Sequence, residues 1–267
     1  MTKQPLVSII IPTHNRAHKL LRAARSALNQ THKEIEVIIV DDCSNDETPE
    51  MVGKLNHKRI TYIQNKKNLG APASRNKGLA AANGQYVNFL DDDDEIHPDK
   101  IKKQLQRFQN SKEKNLAVVT CDVEYKRSDI HAIKKNRLRG NIYKELLKAY
   151  CVYGTETMLI QKTAVKEIGG FDKELEANQE YDLQIRLAKK HTFDYVPEVL
   201  ATKHETPGQI SFNFNKKIHA TKKLYHKHKQ EYKKQNVYAY NLLRFTYLLT
   251  KYRIGKYLGK KVYTWLP

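Results

Sequence analysis

Long apolar runs are missing from this sequence: no stretch approaches the roughly 20 residues that cross a bilayer. The apolar run at residues 7–11 ends at Pro12 and is too short for the core of a secretory leader. Cysteine is scarce. Cys43, Cys121 and Cys151 are sparse and odd in number, which gives no disulfide framework and suits a reducing compartment. They read as buried or half-buried thiols. With 11 Gly and 8 Pro in 267 residues, of which 40% are hydrophobic, collagen-like and wholly disordered chains are excluded. Glycine is also absent where two common nucleotide sites need it. The residues after the first apolar run are Pro12, Thr13, His14, Asn15 and Arg16, so neither a dinucleotide fingerprint nor a P-loop is present. An EF-hand starting at Asp91 fails as well, because its sixth and twelfth positions would be Ile96 and Lys102 rather than Gly and Glu.

What the sequence does carry is positive charge. Lys plus Arg total 48 against 29 Asp plus Glu, a net charge of +19, which points to anionic partners. The excess is concentrated at the end. Residues 216–267 hold 14 basic residues and one acid, Glu231, so the tail carries +13 and residues 1–215 only +6.

Along the first half, short β-branched runs alternate with segments of helical spacing. Strands are expected at 6–11, 36–40, 60–64, 86–90 and 117–121, and helices at 19–28, 48–55, 72–82 and 98–108. Strand–helix–strand at this spacing implies βαβ units and a Rossmann-like, mostly parallel sheet with flanking helices, an α/β fold. Beyond residue 122 the rhythm loosens. Residues 128–140 are polar and basic and read as a loop, 157–160 as a strand, and 169–172 as a turn. A helix is expected at 181–190, and one or two short strands at 193–202 around Pro197. The tail reads helical from about residue 218, with eight tyrosines between Tyr225 and Tyr263. The division expected is 1–215 for a catalytic domain and 216–267 for a basic, Tyr-rich helical extension.

Ligands of open α/β sheets bind outside the carboxyl ends of the strands. Acids fall there twice: Asp41 and Asp42 close the second strand, and Asp91, Asp92, Asp93 and Asp94 close the fourth. One or two Asp would be ordinary helix caps. Four in succession repel one another, and either a divalent cation or an Arg or Lys partner must relieve the repulsion. Mg²⁺ and Mn²⁺ favour such carboxylates and share them with substrate phosphates.

The strings VSIIIPTHNR (7–16), SALNQTHKEIEVIIVDDCSNDET (26–48), NLGAPASRNKGLAAANGQYVNFLDDDDEIHPDKI (68–101) and GGFDKELEANQEYDLQIRL (169–187) resemble the inverting family 2 glycosyltransferases of the A-type, nucleotide-sugar-binding fold. The resemblance runs over residues 5–210. It implies transfer of a sugar from a nucleotide-sugar donor, with UDP first in line, to a hydroxyl of a glycan, polymer or lipid-linked acceptor in cell-envelope polysaccharide biosynthesis. Mn²⁺ or Mg²⁺ would sit on the diphosphate. It places Pro12, His14 and Arg16 in the loop beside the nucleotide base, Asp42 on the base itself, and Arg75 near ribose and phosphates. Asp91 and Asp93 form the DxD pair, Asp93 as the direct metal ligand, with Asp92 toward the ribose. His204 would close the metal site. The general base maps to Glu180, which stands where the family has the Asp of a Glu-Asp pair. The preceding acid is here Gln179, and Asp182 is the second candidate.

The tail lies outside the resemblance. It fits a solvated helical subdomain, an interfacial segment on anionic lipid, or a surface for an anionic polymer acceptor. Nucleic acid is the weaker partner, since no recognition module is visible. A non-catalytic polyanion- or membrane-binding protein using this tail is the alternative reading of the whole chain. A nucleotidyltransferase would need a Gly-rich N-terminal loop that is absent. The expected location is cytoplasmic, peripheral on the inner face of the cell membrane if the tail binds lipid.

Overall fold

A computed structural model describes residues 4–126, 131–204 and 213–265, with residues 259–265 as backbone only. In chain order the elements are β1 (Val7–Thr13), α1 (Ala17–Leu28), β2 (Ile35–Asp41), α2 (Thr48–Leu55), β3 (Ile60–Gln64), α3 (Ala71–Ala81), β4 (Tyr86–Phe89), β5 (Glu95–Ile96), α4 (Lys100–Asn110) and β6 (Leu116–Lys126). There follow β7 (His131–Lys134), α5 (Tyr143–Lys148), β8 (Leu159–Gln161), α6 (Lys162–Glu167), α7 (Gln179–Ala188), β9 (Thr192–His204), α8 (Phe214–Lys234) and α9 (Tyr238–Trp265).

One sheet runs β3-β2-β1-β4-β8-β6-β9-β5, with β7 on the side of β6. Its first four strands are parallel, in the order expected for βαβ units. The other half is mixed. β8 lies antiparallel between β4 and β6, while β6 and β9 run parallel over a long register. All seven residues of β1 are buried, as a strand covered on both faces requires. Its alternation decides the two cores. Ile10 joins Phe89, Leu146, Leu183, Leu224 and Phe245 on one face of the sheet. Ile9 and Ile11 join Leu20, Ile101 and Leu105 on the other.

Two expectations change in the second half. Within the stretch expected as a loop at 128–140, His131–Lys134 pairs antiparallel with β6. An edge strand needs little apolar content when one side is solvent, and so the polar sequence concealed it. Residues 127–130 lie outside the described residues. Around Pro197 the structure has one long strand, Thr192–His204, in place of one or two short ones. The β6 register jumps from Cys121 opposite Val196 to Asp122 opposite Val199, so Pro197 sits in a bulge where its missing N–H costs no ladder bond.

The C-terminal helices are present as expected. Ala220 and Leu224 of α8, and Phe245 of α9, belong to the first core. Helix α3 lies close on β1: a Cβ on Gly78 would stand 2.4 Å from the Ile10 side chain. That close approach fixes Arg75, one turn earlier, near the carboxyl ends of the central strands.

Candidate active site

The carboxyl ends of β1, β2 and β4 open into a pocket of about 670 Å³, closed on the far side by the start of α7 and by α8 and α9. This lies within the roughly 300–1,000 Å³ usual for small-molecule sites. Pro12, His14, Arg16, Asp42, Arg75, Asp91, Asp92, Asp93 and Glu180 all line it.

The β1 and β2 loops are stitched together. Asn15 N–H donates to Ser44 Oγ at 2.9 Å, and Asn45 N–H donates to Asn15 Oδ1 at 2.7 Å. Both loops carry left-handed residues, Asn15 at φ 52° and Cys43 at φ 64°; the second is costly for Cys and borders Asp42. Asp42 accepts from Asn65 Nδ2 and from the backbone N–H of Leu69 and Gly70, at 2.7–2.9 Å. It thereby holds the loop leading into α3 against the pocket. His14 Nδ1 is buried with no hydrogen-bond partner among the described residues.

The repulsion in the acid run is met by the chain's own cations. Arg16 Nη1 reaches Asp92 at 3.1 Å and Asp93 at 3.3 Å. Arg75 Nη2 reaches Asp91 at 2.5 Å. Lys203 Nζ stands 3.7 Å from Asp91, 3.4 Å from Asp94 and 3.7 Å from Glu156. Thr13 Oγ1 donates to Asp92 at 2.8 Å. Burial raises the Asp91 carboxyl, but Arg75 and Lys203 outweigh it and hold the group down at about 2. Burial, reinforced by Asp93 and opposed by Arg16, raises Asp92 to about 6. Asp94 and Glu156 are both raised, chiefly by burial.

Sequence reasoning missed Glu156 and Lys203 and gave Asp94 no role. The carboxylates of Asp91, Asp94 and Glu156 lie within 4.8 Å of one another. Neither oxygen of the fully buried Glu156 has a hydrogen-bond partner among the described residues. Five carboxylates, Asp91 to Asp94 and Glu156, face three ion-paired cations here. An all-oxygen set with excess negative charge and orphaned oxygens fits a divalent cation such as Mg²⁺ or Mn²⁺. Asp91 and Asp93 face the pocket; Asp94 and Glu156 lie behind, where Lys203 neutralises part of their charge.

Two of the sequence-derived candidates do not reach the pocket. His204 Nε2 meets Glu95 Oε1 at 2.6 Å, while its backbone N–H donates to Asp94 at 2.9 Å. The register of β9 on β6 and β5 sets its ring beside Glu95. Asp182 is fully buried. Arg186 at 2.7 Å, and Lys227 and His228 at 2.9 Å, enclose it. Burial works against its ionised form, but these partners hold its carboxyl well below the usual range. A carboxylate so occupied has no open lone pair for a substrate proton. Asp182 therefore ties α7 to α8, and Asp182→Asn is expected to lower stability by about 1–3 kcal/mol, because it removes the buried acceptor that Arg186, Lys227 and His228 share. The depressed carboxyl stabilises the fold above the unfolded-state value near 4, and that contribution disappears as pH falls below it. Urea unfolding at neutral pH and in acid, wild type against variant, checks both effects.

Glu180 is half-buried in the first turn of α7. The residue before it, Gln179, accepts from Arg75 Nη1 at 2.6 Å. Arg75 thus joins Asp91 to the start of α7, with its guanidinium 5.3 Å from the Phe171 ring centroid. The remaining wall is basic and aromatic. Arg244 lies over Tyr181 and Phe245, and Lys217 lies over Tyr252. Burial pushes the Lys217 ammonium down to about 8, against the pull of Glu180.

The sequence pattern of glycosyl transferase family 2 matches residues 8–169. The chain belongs to that family, and its mixed α/β sheet with C-terminal helices matches the A-type glycosyltransferase fold. The uncharacterised glycosyltransferase MJ1057 of Methanocaldococcus jannaschii is 30% identical, over 98% of this chain and 84% of its own. WcaA of Escherichia coli, whose name assigns it provisionally to colanic acid biosynthesis as a glycosyl transferase, is 31% identical over 87% of this chain and 84% of its own. Among solved structures, the Pyrobaculum calidifontis mannosyltransferase PcManGT with GDP-Man and Mn²⁺ aligns with a TM-score of 0.70 at 18% identity, over 97% of this chain and 77% of that one. S. aureus TarS residues 1–349 with UDP-GlcNAc aligns at 0.65 and 19% identity, over 81% of this chain and 65% of that one.

Proposed function

We propose that this glycosyltransferase moves a sugar from a nucleotide-sugar donor, UDP-linked in the first instance, to a hydroxyl of a glycan, polymer or lipid-linked acceptor, with inversion at the anomeric carbon. The observation that carries this reading is one pocket whose lining brings the acid run and its cations together with the half-buried Glu180 carboxylate. The loops holding His14 and Asp42 receive the base. Asp91 and Asp93 would hold Mn²⁺ or Mg²⁺ on the pocket side. When bound, such a cation supplies Lewis-acid stabilisation of the charge developing on the leaving diphosphate. Glu180 takes the acceptor hydroxyl proton as that oxygen attacks the anomeric carbon. The bond from that carbon to the diphosphate oxygen breaks, and the diphosphate leaves with the electron pair. The acceptor enters between α7 and the basic, aromatic wall of α8 and α9. The solved relatives with UDP-GlcNAc and with GDP-Man and Mn²⁺ support the donor class. The relative named for colanic acid biosynthesis supports a role in envelope polysaccharide assembly.

Thermal unfolding with UDP, GDP, CDP and ADP, each with and without Mn²⁺, tests the donor site. A ligand at a hundredfold its Kd adds about 2.7 kcal/mol to the folded state. The expected result is a rise in Tm with UDP that requires Mn²⁺. A metal-dependent rise with another base would change the donor. No rise with any of the four would overturn the reading.

A further inference from the structure

Helix α9 is apolar on two opposite faces. Asn241, Phe245, Tyr252 and Gly255 are buried toward the core. On the other side Tyr240, Leu243, Tyr247, Ile254, Tyr257 and Leu258 recur at the three-to-four-residue spacing of one helical stripe. Leu243 is 73% exposed, Tyr257 79% and Leu258 64%; apolar residues exposed singly are ordinary, whereas several along one helix face mark an interaction surface. Lys251 lies over Tyr247 and Lys256 over Tyr257, so ammonium groups flank the stripe.

A second feature borders the same stripe. Between α8 and α9 is a cleft of about 300 Å³ lined by Asn215, Ile218, His219, Lys222, Arg253, Lys256 and Tyr257. Three basic side chains and no acid face it, and Tyr257 belongs to both cleft and stripe.

We propose that the α8–α9 face is a docking surface for an anionic lipid bilayer, with the α9 stripe at the acyl boundary and lipid phosphates in the basic cleft. Charge chooses this occupant. Residues 216–267 carry +13, so a second copy of the chain would bring like charge onto like. Leaflets that face the cytoplasm carry the complementary sign. An apolar stripe flanked by Lys and Arg, with aromatic rings at its edge, is the pattern of a helix lying in the interface plane. The proposal stands apart from the donor chemistry. The same two helices also wall the larger pocket through Lys217, Leu224, Arg244 and Leu248, so docking would set that wall at the lipid surface.

The full chain is to be sedimented with phosphatidylcholine vesicles, with and without phosphatidylglycerol. Binding is expected only to the anionic vesicles, weakening as salt rises. The Leu243→Glu/Leu258→Glu variant is expected to bind about tenfold more weakly or less. The Lys222→Ala/Arg253→Ala/Lys256→Ala variant is expected to lose at least as much and to show a flatter salt dependence. None of these five side chains lines the larger pocket, and an unchanged melting curve certifies each fold. Wild-type protein that ignores anionic vesicles, or variants that bind like wild type, would overturn the proposal. So would a dimer in sedimentation equilibrium that the leucine variant dissociates, which would assign the stripe to a second copy.

Discussion

Glu180→Gln is expected to leave nucleotide binding intact and to reduce sugar transfer by about a thousandfold, within the range that one positioned base contributes. The substitution nearly keeps shape, and it replaces the charged, proton-accepting carboxylate with a neutral amide. Glu180 is the member of the α7 acid pair that faces the pocket; Asp182 is enclosed by Arg186, Lys227 and His228. Gln179 is already neutral and is held by Arg75, so neither neighbour of Glu180 in the first turn of α7 offers a free carboxylate. The measurement pairs initial transfer rates with the nucleotide-dependent Tm shift. Retained transfer with a normal shift would remove Glu180 from the base role.

The second large effect is expected at the acid run. Asp91→Asn should reduce kcat/KM by about a thousandfold, the scale of losing electrostatic support for a leaving group. It should also abolish the saturable response of the rate to Mn²⁺. Asp91 is the group on which Arg75, Lys203, Asp94 and Glu156 converge. Asp93→Asn, whose carboxylate shares Arg16 with Asp92, tests the pocket-facing ligand separately. A Mn²⁺ titration unchanged in both variants would remove the DxD pair from metal binding.

The parallel half of the sheet was legible because its strands are short, buried on both faces and punctuated by helices, so local pattern carries the topology. The pocket residues on it were legible for the same reason: each stands at the end of a readable strand or the start of a readable helix. The second half depends on pairing between distant segments. Glu156 and Lys203 meet only because β8 and β9 flank β6, and no local motif announces either. The wall from α8 and α9 was hidden because the basic composition of the tail masks Leu224, Phe245 and Leu248 on its inward face. The resemblance placed His204 at the metal site and made Asp182 the second candidate for the base. The backbone register turned one toward Glu95 and the α8 contact buried the other.

Arg75 gives one nitrogen to Asp91 and the other to Gln179, the residue that precedes Glu180. Because a guanidinium is planar and rigid, the two grips cannot be adjusted independently. In the proposed reaction, the donor half and the acceptor half of the pocket would therefore act as a single mechanical unit. An engineer who reshapes the diphosphate side to accept a different donor will tilt the first turn of α7 as well. Changed donor preference and changed acceptor regiochemistry should emerge together from selection, and separating them will require replacing Arg75 before anything else.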